Sequence, residues 1–264
     1  MAKSPAVQRI KCKSQKRQTI EFLEHTLSVN GRAIEEGPRK KKWSIHDLRT
    51  IKPLTATQSD FFRAFFEGYQ IIAYGSAGTG KSYIGLFLAL NELLRDDSRQ
   101  NRIIIVRSAV PTRDIGFMPG TLDEKILFYE TPYRDIMSDL VGKSTTYDDM
   151  KAAGLVEFVT TSYVRGVSWN NAIVLIDECQ NMTRQEINSI MTRIGKNTRV
   201  IAMGDMTQTD LNRKRGDDSG MAWFLSVAQG MPEFDLIQFS VHDIVRSNFV
   251  KSWITACEEA LPAA

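Results

Sequence analysis

The segment IIAYGSAGTGKSYIG, residues 71–85, decides the fold, because it joins a short apolar strand pattern to a glycine-rich loop and then to a helical pattern. The loop from Gly75 to Ser82 fits the spacing G-x-x-x-x-G-K-[ST] at every position. Glycines permit the positive φ angles that turn successive N–H groups toward one bound anion. A strand before the loop and a helix after it place that anion at a helix N-terminus, which favours phosphate. The segment therefore predicts a nucleotide-phosphate site; an ordinary glycine-rich turn is the alternative.

The side chains of this loop indicate which nucleotide it binds. We expect Lys81 to contact the β- and γ-phosphates and the Ser82 hydroxyl to bind Mg²⁺. ATP with Mg²⁺ is therefore the predicted cofactor. The predicted nucleotide-binding residues in the loop are Gly75, Ser76, Ala77, Gly78, Thr79, Gly80, Lys81 and Ser82.

An acidic pair follows a second apolar run. The segment IVLIDE, residues 173–178, ends in Asp177 and Glu178 at the carboxyl end of a predicted strand, the edge where open α/β sheets bind ligands. Asp177 is expected to hold Mg²⁺ through water, and Glu178 to act as the general base for an attacking water molecule. The pair favours hydrolysis. A strand that simply ends in surface acids is the alternative.

Two glutamines are further candidates. Gln208 lies three residues after Asp205, at the end of another apolar run, where its amide could hydrogen-bond both the γ-phosphate and the attacking water. Gln208 is thus a candidate catalytic residue that distinguishes ATP from ADP. Gln58 stands just before the first strand, where its amide could read the donor–acceptor edge of adenine. For each glutamine alone, a surface position is the alternative.

The remaining pattern indicates an open α/β domain. Three helices are expected. The first begins after Thr55 or Thr57 and has Phe61, Phe62, Phe65 and Phe66 on one face; the second covers residues 81–95. The third runs from the capping box of Thr183 and Glu186 to Gly195. Apolar runs that lack strict alternation predict a mostly parallel sheet with helices on both faces. The runs lie at 71–74, 102–106, 156–160, 172–177, 199–203 and 236–239.

Basic residues are concentrated at the start of the chain. The 264 residues carry a net charge of +3, but residues 1–52 hold 13 Lys and Arg against 5 Asp and Glu, and the rest hold 21 against 26. We therefore expect a basic arm over residues 1–53 that is partly disordered or forms a small hairpin. It precedes a domain over residues 54–264 that contains the glycine-rich phosphate-binding loop from Gly75 to Ser82, the P-loop. Such arms are common in proteins that bind nucleic acid. A solvated tail is the alternative.

Several classes of protein can be set aside from composition. No apolar run approaches the ~18 residues that a membrane span needs. Cys12, Cys179 and Cys257 are far apart, without a partner at the spacing of a zinc site. Free thiols fit a reducing compartment, so we expect a cytoplasmic location.

Together these motifs resemble the PhoH family of P-loop ATPases, which are similar to superfamily 1 helicases. The size is most similar to the short versions carried by bacteriophages, and for a chain encoded by a bacteriophage the expected location is the host cytoplasm. One departure is Val167, where the family often has an arginine. The matching segments run from Leu54 onward and read LTATQ, GSAGTGKS, VRSAVP, GFMPG, YVRGVSWNNAIVLIDECQN, TRIG, GDMTQTDL and DIVRSNFV.

The resemblance implies ATP hydrolysis on a RecA-like domain, with RNA or single-stranded DNA as the partner and helicase or remodelling activity. Arg107, Arg113, Phe117 and Met118 supply basic and apolar groups of the kind that bind single strands. A structural turn is the alternative for this segment. The alternative function is an ATP-regulated binding module with slow, incidental hydrolysis.

A candidate arginine lies near the C-terminus. Arg246 follows the last predicted strand and stands near the start of the final helical pattern. The chain after Asp210 is too short for a second RecA-like domain of the usual size. The simplest expected geometry therefore has Arg246 reach the nucleotide of a neighbouring subunit. Head-to-tail contacts that close form a ring, and the resemblance suggests a homo-oligomer, a hexamer.

Overall fold

The computed structural model describes residues 43–108, 122–164, 166, 168–206 and 219–259. No helix in these ranges is long and apolar enough to cross a membrane. In chain order the elements are α1 (Ala56–Glu67), β1 (Gln70–Gly75), α2 (Lys81–Leu94), β2 (Arg102–Arg107), α3 (Leu122–Val141), α4 (Thr146–Ala152), β3 (Val156–Thr160), β4 (Ala172–Asp177), α5 (Arg184–Met191), β5 (Arg199–Gly204), α6 (Met221–Gln229), β6 (Phe234–Phe239) and α7 (Asn248–Glu259).

The strands form one six-stranded sheet in the order β3-β2-β4-β5-β1-β6, and every described pairing is parallel. The predicted α/β fold and its six strands are confirmed. Because parallel strands share one direction, the residues that follow β1, β2, β4 and β5 meet at one edge of the sheet. Strand β5 lies between β1 and β4, so the P-loop and the acidic pair are close but not adjacent.

Apolar side chains cover both faces of the sheet. All six residues of β4 are buried, which explains its unbroken apolar sequence. One apolar layer holds α2 and Tyr133 of α3, and the opposite layer holds Ile187 and Phe224. Helix α2 is buried from Ile84 to Leu90, so the P-loop is anchored by a helix inside the core.

Helix α1 begins where the sequence predicts. The Thr55 side chain caps it by accepting a hydrogen bond from the Gln58 N–H. Phe61 and Phe65 are buried, but Phe66 is 55% exposed. Phe62 is partly buried against the same core, with its ring centroid 5.8 Å from that of Phe87. Of the four phenylalanines expected on one face, only Phe66 is therefore mostly exposed.

Helix α5 has the predicted start and an earlier end. Thr183 and Glu186 form both bonds of the capping box, but the helix ends at Met191 rather than at Gly195. Gly195 instead lies against the chain before β4, where an added Cβ would stand 2.7 Å from the Trp169 carbonyl oxygen. That backbone approach explains a glycine at this position.

The packed unit begins at Trp43 rather than at Leu54. Trp43 and Leu48 are both buried in the core, and the Arg49 N–H donates a hydrogen bond of 2.7 Å to the Leu140 carbonyl. The basic composition of the preceding stretch concealed these two apolar anchors. The described core therefore includes residues before the predicted boundary at residue 53, while the extent of the basic arm stays a prediction.

Candidate nucleotide-binding site

The P-loop has the backbone geometry of a phosphate cradle. Gly75 and Gly78 have φ angles of 114° and 73°, in the region that favours glycine. At Gly75, an added Cβ would stand 1.9 Å from the Phe239 carbonyl oxygen, so no other residue fits this close approach to β6. The loop leads into α2, which begins at Lys81. The first N–H groups of α2 are available to an anion because Gly80, at the cap position, has no side chain that could accept their hydrogen bonds.

The Lys81 ammonium lies over this cradle. Its Nζ donates hydrogen bonds to the carbonyl oxygens of Gly75 (2.8 Å) and Ser76 (2.7 Å). Burial lowers the pKa of Lys81, and the neighbouring carboxylates, Asp205 foremost, oppose that shift. Phosphate oxygens in the loop would therefore meet a desolvated cation, which strengthens their attraction.

Ser82 and Asp177 place two oxygen donors side by side. The Ser82 hydroxyl donates a hydrogen bond of 3.0 Å to Asp177 Oδ1 and so joins the P-loop to the end of β4. The described residues contain no cluster of three or more His, Cys, Asp or Glu that could hold a metal. The oxygens of Ser82 and Asp177 fit Mg²⁺ because this ion commonly binds through one or two protein oxygens together with water and substrate phosphates.

Glu178 stands next to this pair in an unusual backbone conformation. It has φ 55° and ψ 44°, the left-handed region that costs a non-glycine residue about 1–2 kcal/mol. Burial and the adjacent Asp177 raise the pKa of Glu178, against the opposing effects of Gln180, Arg107 and Lys81. A carboxylate with a raised pKa is better matched to general-base work near neutral pH.

Gln180 holds the Glu178 side chain in place. Its Nε2 donates a hydrogen bond of 2.5 Å to Glu178 Oε2, and its Oε1 accepts one of 3.0 Å from the Asp205 N–H after β5. A Cβ on Gly204 would stand 2.9 Å from Gln180 Oε1, so the glycine makes room for this bridge. The candidate base is thus fixed by two strand ends. No sequence pattern predicted a role for Gln180, although it lies near the end of the segment YVRGVSWNNAIVLIDECQN.

Gln58 contacts the P-loop backbone. Its buried amide donates to the Thr79 carbonyl at 3.0 Å and accepts from the Leu54 N–H at 2.7 Å. The structure therefore gives Gln58 a supporting position behind the loop. Its contact with adenine remains a prediction.

Arg246 lies beside the P-loop of its own chain. A Cβ on Gly78 would stand 3.2 Å from Arg246 Cγ and 3.5 Å from Ile254 Cδ1 of α7. The Val245 N–H donates to the Gly78 carbonyl at 3.1 Å, which fastens this segment to the loop. The exposed Arg246 side chain is therefore close to the phosphate cradle within one subunit. Its action on a neighbouring subunit remains a prediction.

Arg107 lies beside the candidate nucleotide site. Its guanidinium lies 5.5 Å from the Tyr129 ring centroid and is close to Tyr133, Asp177 and Glu178. Burial lowers its pKa, but these neighbours more than offset that effect and the pKa is raised. Its contact with a single strand remains a prediction.

Other sequence-predicted residues lie outside the described ranges. They are Gln208, Arg113, Phe117, Met118 and Val167, together with the arm before Trp43.

Tyr133 is a residue of the site that no sequence pattern predicted. It is buried in α3, and its hydroxyl donates a hydrogen bond of 2.8 Å to Asp177 Oδ2. No motif surrounds it, and Pro132 interrupts the helical pattern there. Only the packing of α3 against the sheet brings it to the site.

The parallel sheet, the P-loop before α2 and the acidic pair after β4 define a P-loop nucleotide-binding domain. The PhoH family profile, described as PhoH-like protein, matches residues 50–258. The chain belongs to the PhoH family.

Similar proteins include a PhoH-like protein of Mycobacterium leprae (strain TN), 31% identical over 80% of this chain and 59% of that protein. Protein PhoH of Escherichia coli (strain K12) is 34% identical over 76% of this chain and 57% of its own length. A PhoH-like protein of Bacillus subtilis (strain 168) is 30% identical over 80% and 65%, respectively. The chain thus spans less than two thirds of these relatives.

Two solved structures are distant likenesses. The crystal structure of the HK97 bacteriophage large terminase has a TM-score of 0.49 at 13% identity, over 83% of this chain and 50% of the terminase. The crystal structure of Pif1 helicase from Candida albicans has a TM-score of 0.35 at 14% identity, over 72% of this chain and 41% of the helicase.

Proposed function

We propose that the chain is a Mg²⁺-dependent ATPase whose turnover is coupled to RNA or single-stranded DNA, with helicase or remodelling action. The observation that carries this proposal is the convergence of Lys81, the Ser82–Asp177 pair and Glu178 at one edge of the sheet. A phosphate-binding cation, a metal-binding oxygen pair and a carboxylate base are the three parts that ATP hydrolysis needs.

Each residue has a distinct part in the proposed reaction. Lys81 and the first N–H groups of α2 bind the phosphates, and bound Mg²⁺ supplies offsetting charge to their oxygens. Glu178 accepts a proton from the attacking water, while Gln180 orients its carboxylate. Gln208 is proposed to contact the γ-phosphate and that water, and Gln58 to contact adenine.

Support for a nucleic-acid partner comes from charge and from exposed apolar groups. The first 52 residues carry 13 Lys and Arg against 5 Asp and Glu. On the described surface, Leu127 and Phe128 of α3 are 49% and 53% exposed. Basic groups that follow phosphates and aromatic groups that stack on bases are the usual means of binding single strands.

The deciding experiment compares ATP turnover with and without single-stranded RNA or DNA. The proposal predicts Mg²⁺-dependent turnover that rises when one of these polymers is added and falls again as salt displaces it. Slow turnover that neither polymer changes would favour the ATP-regulated binding module instead. Absence of Mg²⁺-dependent hydrolysis under every condition would refute the ATPase assignment itself.

A homo-oligomer, a hexameric ring, is a further part of the proposal. Phe249 and Trp253 are 77% and 64% exposed one turn apart on α7, next to the segment that holds Arg246. An exposed apolar face of this kind is suited to burial against a second subunit. Light scattering with ATP and Mg²⁺ should show a ring whose mass falls to that of the monomer in Trp253→Ser. A monomeric wild type under these conditions would exclude the ring.

A further inference from the structure

Tyr133 places a buried hydroxyl against a candidate metal ligand. Its side chain lies in α3, packs on Phe158 of β3 at a ring distance of 6.0 Å, and donates a hydrogen bond of 2.8 Å to Asp177 Oδ2. The other carboxylate oxygen, Oδ1, accepts from Ser82. Both oxygens of Asp177 are therefore held, one by the P-loop and one by a helix that no motif connects with the nucleotide.

The direction of the Tyr133–Asp177 hydrogen bond is fixed by chemistry. An ionised carboxylate only accepts, so the tyrosine hydroxyl donates to Asp177. Arg107 is opposite Asp177 in the β2–β4 register and lies close to Tyr133 and Asp177. A positive charge at the end of β2 is thus close to the hydroxyl and to the carboxylate that it contacts.

Charge and burial keep Tyr133 a donor. Burial, followed by the nearby Asp177, raises the pKa of Tyr133 well above its ordinary value, and Arg107 opposes this only in part. The hydroxyl therefore keeps its proton at neutral pH. A neutral donor restrains Asp177 without cancelling the negative charge that attracts a metal ion.

We propose that Tyr133 is a positioning residue that holds the Asp177 carboxylate in the orientation that binds Mg²⁺ beside Ser82. The proposal rests on the Mg²⁺–ATP function argued above and adds α3 to the elements that control it. Without the hydroxyl, Asp177 Oδ2 loses its partner and the carboxylate can rotate away from Ser82. Loss of a partner behind a metal ligand commonly reduces metal affinity about 10- to 100-fold.

The test uses Tyr133→Phe, which removes one oxygen and keeps the packed ring. The matched control is Tyr147→Phe, because Tyr147 of α4 is as fully buried but faces Glu130 and Arg134 away from the site. Binding of a fluorescent, non-hydrolysable ATP analogue is measured in EDTA and then as Mg²⁺ is added. This readout reports the metal without relying on turnover.

The expected result is a change confined to Mg²⁺ binding. In Tyr133→Phe, the Mg²⁺ concentration that gives half of the maximal effect on analogue binding (the Mg²⁺ midpoint) should rise about tenfold. The affinity for the analogue in EDTA should stay within about twofold of wild type. Tyr147→Phe should match wild type in both. An unchanged Mg²⁺ midpoint in Tyr133→Phe would overturn the proposal, as would an equal change in the control. If the wild type itself shows no effect of Mg²⁺ on binding, the proposed function fails instead.

A second variant tests the surroundings of the Tyr133 hydroxyl if Tyr133→Phe does not fold. Arg107→Lys keeps a positive charge near Asp177 but replaces the planar guanidinium that lies close to the tyrosine hydroxyl. Its Mg²⁺ midpoint should rise in the same direction by about two- to fivefold, a part of the loss expected from removing the hydroxyl itself. A midpoint equal to that of wild type would refute the positioning role.

Discussion

Replacing Glu178 by glutamine separates nucleotide binding from hydrolysis. The amide has the size of the carboxylate and keeps one oxygen to accept the hydrogen bond from Gln180. It lacks the negative charge and cannot take a proton from water. Glu178→Gln should therefore keep ATP bound and slow hydrolysis by about two to four orders of magnitude, the usual contribution of a general base. In activation free energy this is about 2.7–5.4 kcal/mol.

The same substitution should also stabilise the folded protein at neutral pH. Burial and Asp177 raise the pKa of Glu178 above its ordinary value of 4.5. A carboxyl group with a raised pKa favours the folded state at low pH, and that contribution is lost as the pH rises through the raised value. Glu178→Gln removes this loss of stability, so the melting temperature of the variant should exceed that of wild type at pH 7. The difference should shrink as the pH approaches 4.5.

The assay combines single-turnover phosphate release, binding of an ATP analogue and thermal unfolding across pH. Glu157→Gln is the control, because Glu157 of β3 is about half exposed and faces Arg102 rather than the site. The control should hydrolyse ATP at the wild-type rate. Wild-type hydrolysis in Glu178→Gln would refute its role as the base, and a lower melting temperature at pH 7 would refute the electrostatic argument.

Two other substitutions test the nucleotide site, and two deletions test the N-terminal arm. Lys81→Ala should abolish hydrolysis and weaken ATP-analogue binding by about ten- to a hundredfold, because charge-assisted hydrogen bonds of about 1.5–3 kcal/mol are lost. Arg246→Ala should lower turnover by about three to five orders of magnitude while binding persists, if it acts as an arginine finger. Mixing these two inactive variants restores turnover only if Arg246 acts between subunits; mixtures without activity would favour action on its own P-loop. Deletion of residues 1–42, which hold 11 Lys and Arg against 4 Asp and Glu, should weaken single-strand binding and flatten its salt dependence with no change in melting temperature. Deletion of residues 1–52 should in addition lower the melting temperature, because it removes the buried Trp43. Equal melting temperatures for the two deletions would contradict the contribution of Trp43 to the core.

Features that depend on neighbouring residues were predictable from the sequence. The P-loop, the caps at Thr55 and Thr183 and the apolar strand at Asp177 each have a local cause, such as a glycine angle, a capping oxygen or a buried run. These elements lie where the patterns predicted them. The sheet order then brings the P-loop and Asp177 together without further information.

Features that depend on packing between distant segments were not predictable. Tyr133 and Asp177 are 44 residues apart, and no spacing rule connects them. Arg246 lies against Gly78 because β6 is the neighbour of β1, an adjacency that the order of strands in the sequence does not reveal. The same adjacency puts the segment before α7 beside the phosphate cradle. Residue type made Arg246 a candidate, whereas its position required the fold.

The left-handed backbone of Glu178 explains how two consecutive carboxylates serve one site. Successive side chains of an extended strand point to opposite faces, so a strand continued through Asp177 and Glu178 would separate them. The strand ends at Asp177, and Glu178 turns at φ 55° into the short helical turn of Cys179–Asn181. Both carboxylates then lie close enough to Lys81 to oppose the lowering of its pKa by burial. The conformation costs about 1–2 kcal/mol, and the bridge through Gln180 to the end of β5 opposes its relaxation. Strain at this residue is therefore what brings the proposed metal ligand and the proposed base to the same phosphate group.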